Sequence, residues 1–216
     1  MKNKQSYLTK GSFALLLFVI LGYVVKFYPE NLIGFDASIQ TAIRGDLPQL
    51  LTTILSALTS VFNPVVLTVW VLLLAAFFLY KKWKAEALLL VGNLVLAGLV
   101  PFVLKPVYQR QRPAIIHLVK ENGFSFPSAH SLAATLILAS LIIIVQQRLQ
   151  NKRLRLLLQA LLASLIFIIL LSRVYLGVHY PTDVLAGLLL GFAIINIEFP
   201  FYDKLRFQWR FKSKQK

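Results

Sequence analysis

Six apolar runs, each close to the length of a bilayer crossing, divide this chain and leave it few ways to fold. They cover about residues 11–28, 64–80, 85–104, 129–145, 156–171 and 183–200. A helix needs about 20 apolar residues to cross roughly 30 Å of hydrocarbon. Irregular backbone cannot replace it there, because its N–H and C=O groups would find no partners in lipid. The 216 residues are 58% hydrophobic and only 14% charged, too apolar for an ordinary soluble domain. The expectation is an all-α, integral membrane bundle of six transmembrane helices, forming a single domain over residues 1–216.

Between these runs the chain carries its polar instructions. Lys2, Lys4 and Lys10 precede the first run, and Lys26-Phe27-Tyr28-Pro29 closes it as an interfacial border. No small-x-small cleavage site follows directly, so the run reads as a retained signal anchor. A polar, mildly acidic loop is expected over 30–46. Beyond it Leu47, Leu50, Leu51, Ile54, Leu55, Leu58, Val61 and Phe62 recur at three- and four-residue spacing, with Thr52, Thr53, Ser56, Thr59 and Ser60 opposite. That pattern predicts an additional amphipathic helix lying in the outer interface. Asn63-Pro64 reads as an N-cap followed by proline at the first helical position. Lys105 to Ser128 forms the longest polar loop, and a basic tail covers 203–216.

The net charge of +15 is spread around the apolar runs rather than gathered in one patch, which points to a membrane surface and not to nucleic acid. With the N-terminus inside, 16 of the 23 lysines and arginines fall on the cytoplasmic side. Both termini are therefore expected in the cytoplasm, with the tail, including Phe207, Trp209 and Phe211, held to anionic inner-leaflet lipid. No obligate protein partner is predicted. The chain has no cysteine, which excludes disulfides and thiolate metal sites.

This orientation puts the Lys105–His130 loop and the Ser172–Asp183 stretch on the same, outer side. Lys105, Arg112, His130, Arg173, His179 and Asp183 then collect together, a set suited to a tetrahedral oxyanion neutralised by protein cations. His179 and Asp183 are four apart, so one helical turn would set the carboxylate beside the imidazole. The plainer reading has Arg173 anchoring a helix end and Asp183 capping the next helix. Ser128-Ala129-His130 opens the fourth helix after Pro127, where free amides and the Ser128 hydroxyl form an anion cradle, or Ser128 simply caps. His130 taken singly reads as a structural histidine. Glu30, Asp36, Asp46 and Glu121 are scattered without ligand spacing, so no metal and no cofactor is expected.

Lys105 and Arg112-Pro113 with six residues between, Pro127-Ser-Ala-His130, and Ser172-Arg173 followed by His179 and Asp183 resemble the three signature motifs of the type 2 phosphatidic acid phosphatase superfamily, the lipid phosphate phosphatases. The motifs lie at 105–113, 127–130 and 172–183, and one position departs: Ala129 replaces the family glycine. The resemblance implies that His179 is the nucleophile, Asp183 orients it, and His130 is the general acid and base. It also implies that Lys105, Arg112, Ser128, Ala129 and Arg173 bind phosphate. The substrate would be a membrane lipid phosphate or pyrophosphate. Phosphatidylglycerol phosphate ranks first, by likeness in size and layout to the bacterial phosphatidylglycerophosphatase group, with undecaprenyl pyrophosphate, phosphatidic acid and diacylglycerol pyrophosphate as alternatives. The implied location is the bacterial cell membrane.

Two other classes compete. Vanadate-dependent haloperoxidases carry a similar site, but six apolar helices around a site for aqueous halide have no evident rationale. A lipid transporter or scaffold would explain the arginines, but not the two histidines with an aspartate. His117 reads as interfacial, Asn93 as an interhelical hydrogen-bonding residue, and Gly187 with Gly191 as an intramolecular packing face. Tyr175, Gly177 and Tyr180, inside the third motif, carry no assigned chemistry.

Overall fold

The computed structural model describes residues 4–212. They form α1 (Lys4–Phe27), α2 (Glu30–Arg44), α3 (Gln49–Ser60), α4 (Pro64–Tyr80), α5 (Lys84–Tyr108), α6 (Ala129–Arg148), α7 (Lys152–Tyr175) and α8 (Pro181–Lys212). Among the described residues there is no strand. Helices α1, α5, α6, α7 and α8 are each long and apolar enough to cross a bilayer. Helix α4 has 17 residues and follows α3 across a bend of 55°; α3 and α4 taken together are long and apolar enough to count as a sixth candidate span, so the described residues hold five or six. The chain is a multi-pass, all-helical membrane bundle.

The segment 30–46 is not the expected loop but helix α2, and its polar side is the buried one. Asp36 and Gln40, one turn apart, are 1% and 7% exposed, while Ile33 and Phe35 point outward. Helix α3 is the expected amphipathic helix, and it is inverted in the same sense. Thr59 is buried, whereas Leu50, Leu51 and Ile54 are exposed. Outward apolar faces suit a surface that meets lipid, and they leave the polar faces to pack on the end of the bundle.

Several helix ends move the motif residues. Asn63 precedes Pro64 at the start of α4, but its side chain makes no cap bond, so it does not cap as expected. Helix α5 continues through Pro101 to Tyr108, which puts Lys105 in its last turn rather than in the loop. Helix α7 is capped by Asn151, whose Oδ1 accepts the Leu154 N–H at 3.1 Å. It runs past Leu171 to Tyr175, so Ser172 and Arg173 are helical. Gly177, at φ +79°, ends that helix; a side chain there would meet the Ile116 carbonyl at 2.6 Å. Helix α8 passes Pro200 and carries the basic tail as far as Lys212, while residues 213–216 lie outside the described residues.

Helix α8 packs against both α1 and α6, with α7 and α5 against α6 and α4 against α5. Gly187 lets α8 approach α6 so closely that a Cβ there would lie 2.7 Å from the Ser128 carbonyl, and Gly191 meets Thr135 in the same way. The small-residue face is intramolecular packing. Asn93 joins three helices: its Nδ2 donates to Ser140 Oγ at 2.9 Å and to Glu198 Oε1 at 2.7 Å.

Candidate active site

The motif residues gather at one end of the bundle, where α5 and α7 finish and α6 and α8 begin. Lys105 closes α5, Arg112 follows in the 109–128 connection, Ala129 and His130 open α6, Arg173 closes α7, and His179 and Asp183 bracket the start of α8. They meet at a cavity of about 520 Å³ lined by Lys105, Glu121, Ala129, His130, Arg173 and His179 at its charged end. Leu67, Leu94, Ala97 and Ala133 form an apolar wall beside them.

His179 is 1% exposed, and its two ring nitrogens face opposite charges. Arg112 Nη1 lies 3.3 Å from Nε2. A guanidinium can only donate, so Nε2 is the acceptor and the ring proton sits on Nδ1. Nδ1 faces Asp183 Oδ2 at 3.5 Å, an ion-pair distance that is long for a hydrogen bond. Burial pushes the His179 pKa down to about 4, against the upward pull of Asp183. The imidazole is neutral at physiological pH, with its Nε2 lone pair accepting from Arg112.

Asp183 does two jobs. Its Oδ2 accepts the Tyr180 N–H at 2.9 Å, capping α8, and the same carboxylate faces His179. Oδ1 accepts from Arg110 Nη1 at 2.6 Å. Arg110 also donates from Nη2 to Asp36 at 2.7 Å, and Asp36 accepts the Thr182 N–H at 3.0 Å. Helix α2 reaches His179 as well, through Gln40 Nε2 and the His179 carbonyl at 3.5 Å.

Arg112 is held by backbone carbonyls: Nε donates to Gly123, Nη1 to Val178 at 2.8 Å and Nη2 to Asn122 at 2.9 Å. Arg173 is 1% exposed, donating to Thr59 Oγ1 at 3.0 Å and to Glu121 Oε1, while its Nε is buried without an acceptor. No hydrogen bond or ion pair among the described residues occupies the Lys105 ammonium. Ser128 is fully buried and acts as the α6 N-cap, accepting the Ser131 N–H at 3.4 Å and the Ser131 hydroxyl at 2.9 Å. Its own amide donates to the Asp183 carbonyl at 3.1 Å, so the open donors of the cradle are the amides of Ala129 and His130 rather than that of Ser128.

Two of the four outer acids, Asp36 and Glu121, enter the site, while Glu30 and Asp46 lie exposed outside it. Glu121 stands in the middle of the cations: Oε1 accepts from Arg173 and lies 3.6 Å from His130 Nδ1, and Oε2 lies 3.6 Å from Arg112 Nη2. Burial alone would raise its pKa, but Arg173, then His130 and Arg112, hold the carboxyl below the usual range. Glu121, Asp36 and Arg110 escaped the sequence pattern; Arg110, two residues before Arg112, was the one visible signal, as an extra cation beside the first motif. Among the described residues no three His, Asp or Glu side chains are grouped to hold a metal ion. His117 hydrogen-bonds within its own loop, to the Pro113 carbonyl at 2.8 Å.

The geometry has counterparts in known proteins. Phosphatidylglycerophosphatase B of Bacillus subtilis is 35% identical over 142 residues, 64% of this chain and 66% of that protein, so the match spans just under two thirds of its length. Undecaprenyl-diphosphatase of Sulfolobus acidocaldarius is 30% identical over 82% of this chain and 84% of its own. The crystal structure of a transmembrane PAP2 type phosphatidylglycerolphosphate phosphatase from Bacillus subtilis superposes with a TM-score of 0.81 at 27% identity, covering 90% of this chain and 96% of that one. The family model of the PAP2 superfamily matches residues 86–207, which hold all three motifs, and the chain belongs to that superfamily.

Proposed function

We propose that this protein is a metal-independent lipid phosphate phosphatase acting through a phosphohistidine on His179. One observation carries the reading: a neutral, buried imidazole, with Arg112 on its Nε2, lines the cationic end of a cavity whose other wall is apolar. A lipid can keep its chains against Leu67, Leu94 and Ala97 while its phosphate enters among Lys105, Arg112 and Arg173. Nε2 attacks phosphorus in line, and the bond to the leaving oxygen breaks. His130 delivers a proton to that oxygen, then takes one from the water that cleaves the N–P bond, releasing phosphate and restoring His179. The three cations and the Ala129 and His130 amides stabilise the charge of the pentacoordinate transition state, where one preorganised donor is commonly worth on the order of 10²–10³ in rate. The unpartnered Arg173 Nε and Lys105 ammonium supply donors that no protein group consumes.

Phosphatidylglycerol phosphate is the first-ranked substrate, supported by the Bacillus relatives, and undecaprenyl pyrophosphate the second, supported by the Sulfolobus relative. The site would face outward across a bacterial cell membrane. The basic α8 extension would rest on anionic inner-leaflet lipid through Lys204 and Arg210, since Arg206 is already engaged by Glu86 at 3.1 Å. Purified protein in detergent micelles containing EDTA should release phosphate from both lipids, faster from phosphatidylglycerol phosphate, and His179→Ala should abolish release. Full activity in that variant would end the phosphohistidine reading, and a rate dependent on divalent cations would end metal independence.

A further inference from the structure

Resting on the phosphatase reading above, we propose that Arg110, locked in place by Asp36, is a positioning residue that grips the Asp183 carboxylate from behind and sets how strongly it pulls on His179. Arg110 and Arg112 leave one short segment and clamp the dyad at its two ends. Arg112 meets Nε2 of the imidazole at 3.3 Å, and Arg110 meets Oδ1 of the carboxylate at 2.6 Å. Nothing about the Arg110 placement is loose. Its Nη1 also donates to Thr182 Oγ1 at 2.7 Å, its Cζ lies 4.0 Å from the Tyr180 ring centroid, and its carbonyl accepts the amide of buried Ser125 at 2.8 Å. Asp36 takes the far side of the guanidinium at 2.7 Å and reaches Thr182 through both amide and hydroxyl.

The chemistry follows from where the charge sits. A carboxylate whose second oxygen is bound by a guanidinium has less electron density to offer an imidazole through the first. His179 then stays unprotonated at lower pH, and as a phosphohistidine it leaves phosphorus more readily. Without Arg110, Asp183 would hold a proton on His179 more tightly and the N–P bond would break more slowly. The other charged groups around the ring come from other elements: Arg112 and Glu121 from the 109–128 connection, Arg173 from α7, His130 from α6 and Lys105 from α5. None of them contacts the Oδ1 edge of Asp183. Arg110 and, through it, Asp36 are therefore the levers on that edge, and they act with opposite sign.

The test is the pH dependence of kcat/KM for dioctanoyl phosphatidic acid in detergent micelles. Arg110→Gln keeps a donor but removes the charge, and should raise the acid limb by about one unit, the effect of losing one nearby like charge on the imidazolium. It should also lower kcat about tenfold or more, with KM falling alongside it, and phosphoenzyme trapped by an alkaline detergent quench, which preserves the acid-labile N–P bond, should accumulate. Arg110→Lys should bring the limb back toward wild type. Asp36→Asn, which leaves the Arg110 charge less compensated, should move the limb downward. A lower rate with an unmoved limb in Arg110→Gln would reduce the residue to packing and overturn the proposal, as would a rise in KM alone. If Arg110→Gln fails to fold, Asp36→Asn decides: an unmoved or raised limb there overturns it. Wild-type protein that releases no phosphate defeats the phosphatase reading itself, whereas active wild type with unmoved variant limbs defeats only this inference.

Discussion

Glu121 puts a carboxylate where the site is built for a phosphate. Arg173, Arg112 and His130 all converge on it. A like charge a few ångströms away costs an incoming anion a kcal/mol or more even at an effective dielectric of about 20. Glu121→Gln should therefore tighten inhibition by orthovanadate on the order of tenfold, while kcat falls because His130 loses its partner. An unchanged inhibition constant would mean that the carboxylate leaves the cavity before the anion arrives. His179 carries a second prediction. Its folded pKa of about 4 lies below the ordinary 6.5, so the neutral ring is favoured by folding. The stability tied to that neutrality is complete above 6.5 and is lost as pH falls through about 4. The acid limb of kcat/KM, which reports the free enzyme's base, belongs near 4 rather than 6.5. A pH–rate profile from 3.5 to 8 checks it. At this scale the motif spacing made His179, Asp183, His130, Arg112, Arg173 and Lys105 legible, because each sits at a fixed offset from a helix end. Glu121 was not legible: one glutamate in a polar loop has no periodicity, and only folding of that loop brings it to Arg173.

Among the helices, the contact of α6 with α8 matters most, since it carries the second motif to the third. Gly187→Ala would place a methyl carbon 2.7 Å from the Ser128 carbonyl and force the first turn of α6 away from α8. The expected cost is about 1–3 kcal/mol, read as a lower thermal midpoint in detergent, with activity falling because Ala129 and His130 move with that turn. Ser128→Ala should cost about 1 kcal/mol as a lost N-cap. Helix α6 was readable from its start because proline followed by serine is a strong local signal. Helix α2 was not, because its buried face holds Asp36 and Gln40 and its exposed face holds Ile33 and Phe35. A pattern read for water gives the wrong inside when the outside is lipid.

Over the whole molecule, the connections on one side of the bundle share the site, so its side of the membrane is a single testable property. The chain has no cysteine, which makes single introductions clean. On intact bacterial cells, a membrane-impermeant maleimide should label Lys120→Cys directly and Lys82→Cys only after permeabilisation. The reverse pattern would turn the site toward the cytoplasm. By itself the sequence determined the order of the apolar runs, the gathering of basic residues in the turns between them and the offsets within three motifs. Those are local quantities: transfer of some 20 consecutive residues into lipid and spacing along one turn of helix. Only the tertiary structure decided that Asp36 would meet Thr182, 146 residues away, and that Arg110 and Glu121 would enter the site. Such pairings depend on how whole helices and a folded loop pack together, and no local preference encodes them.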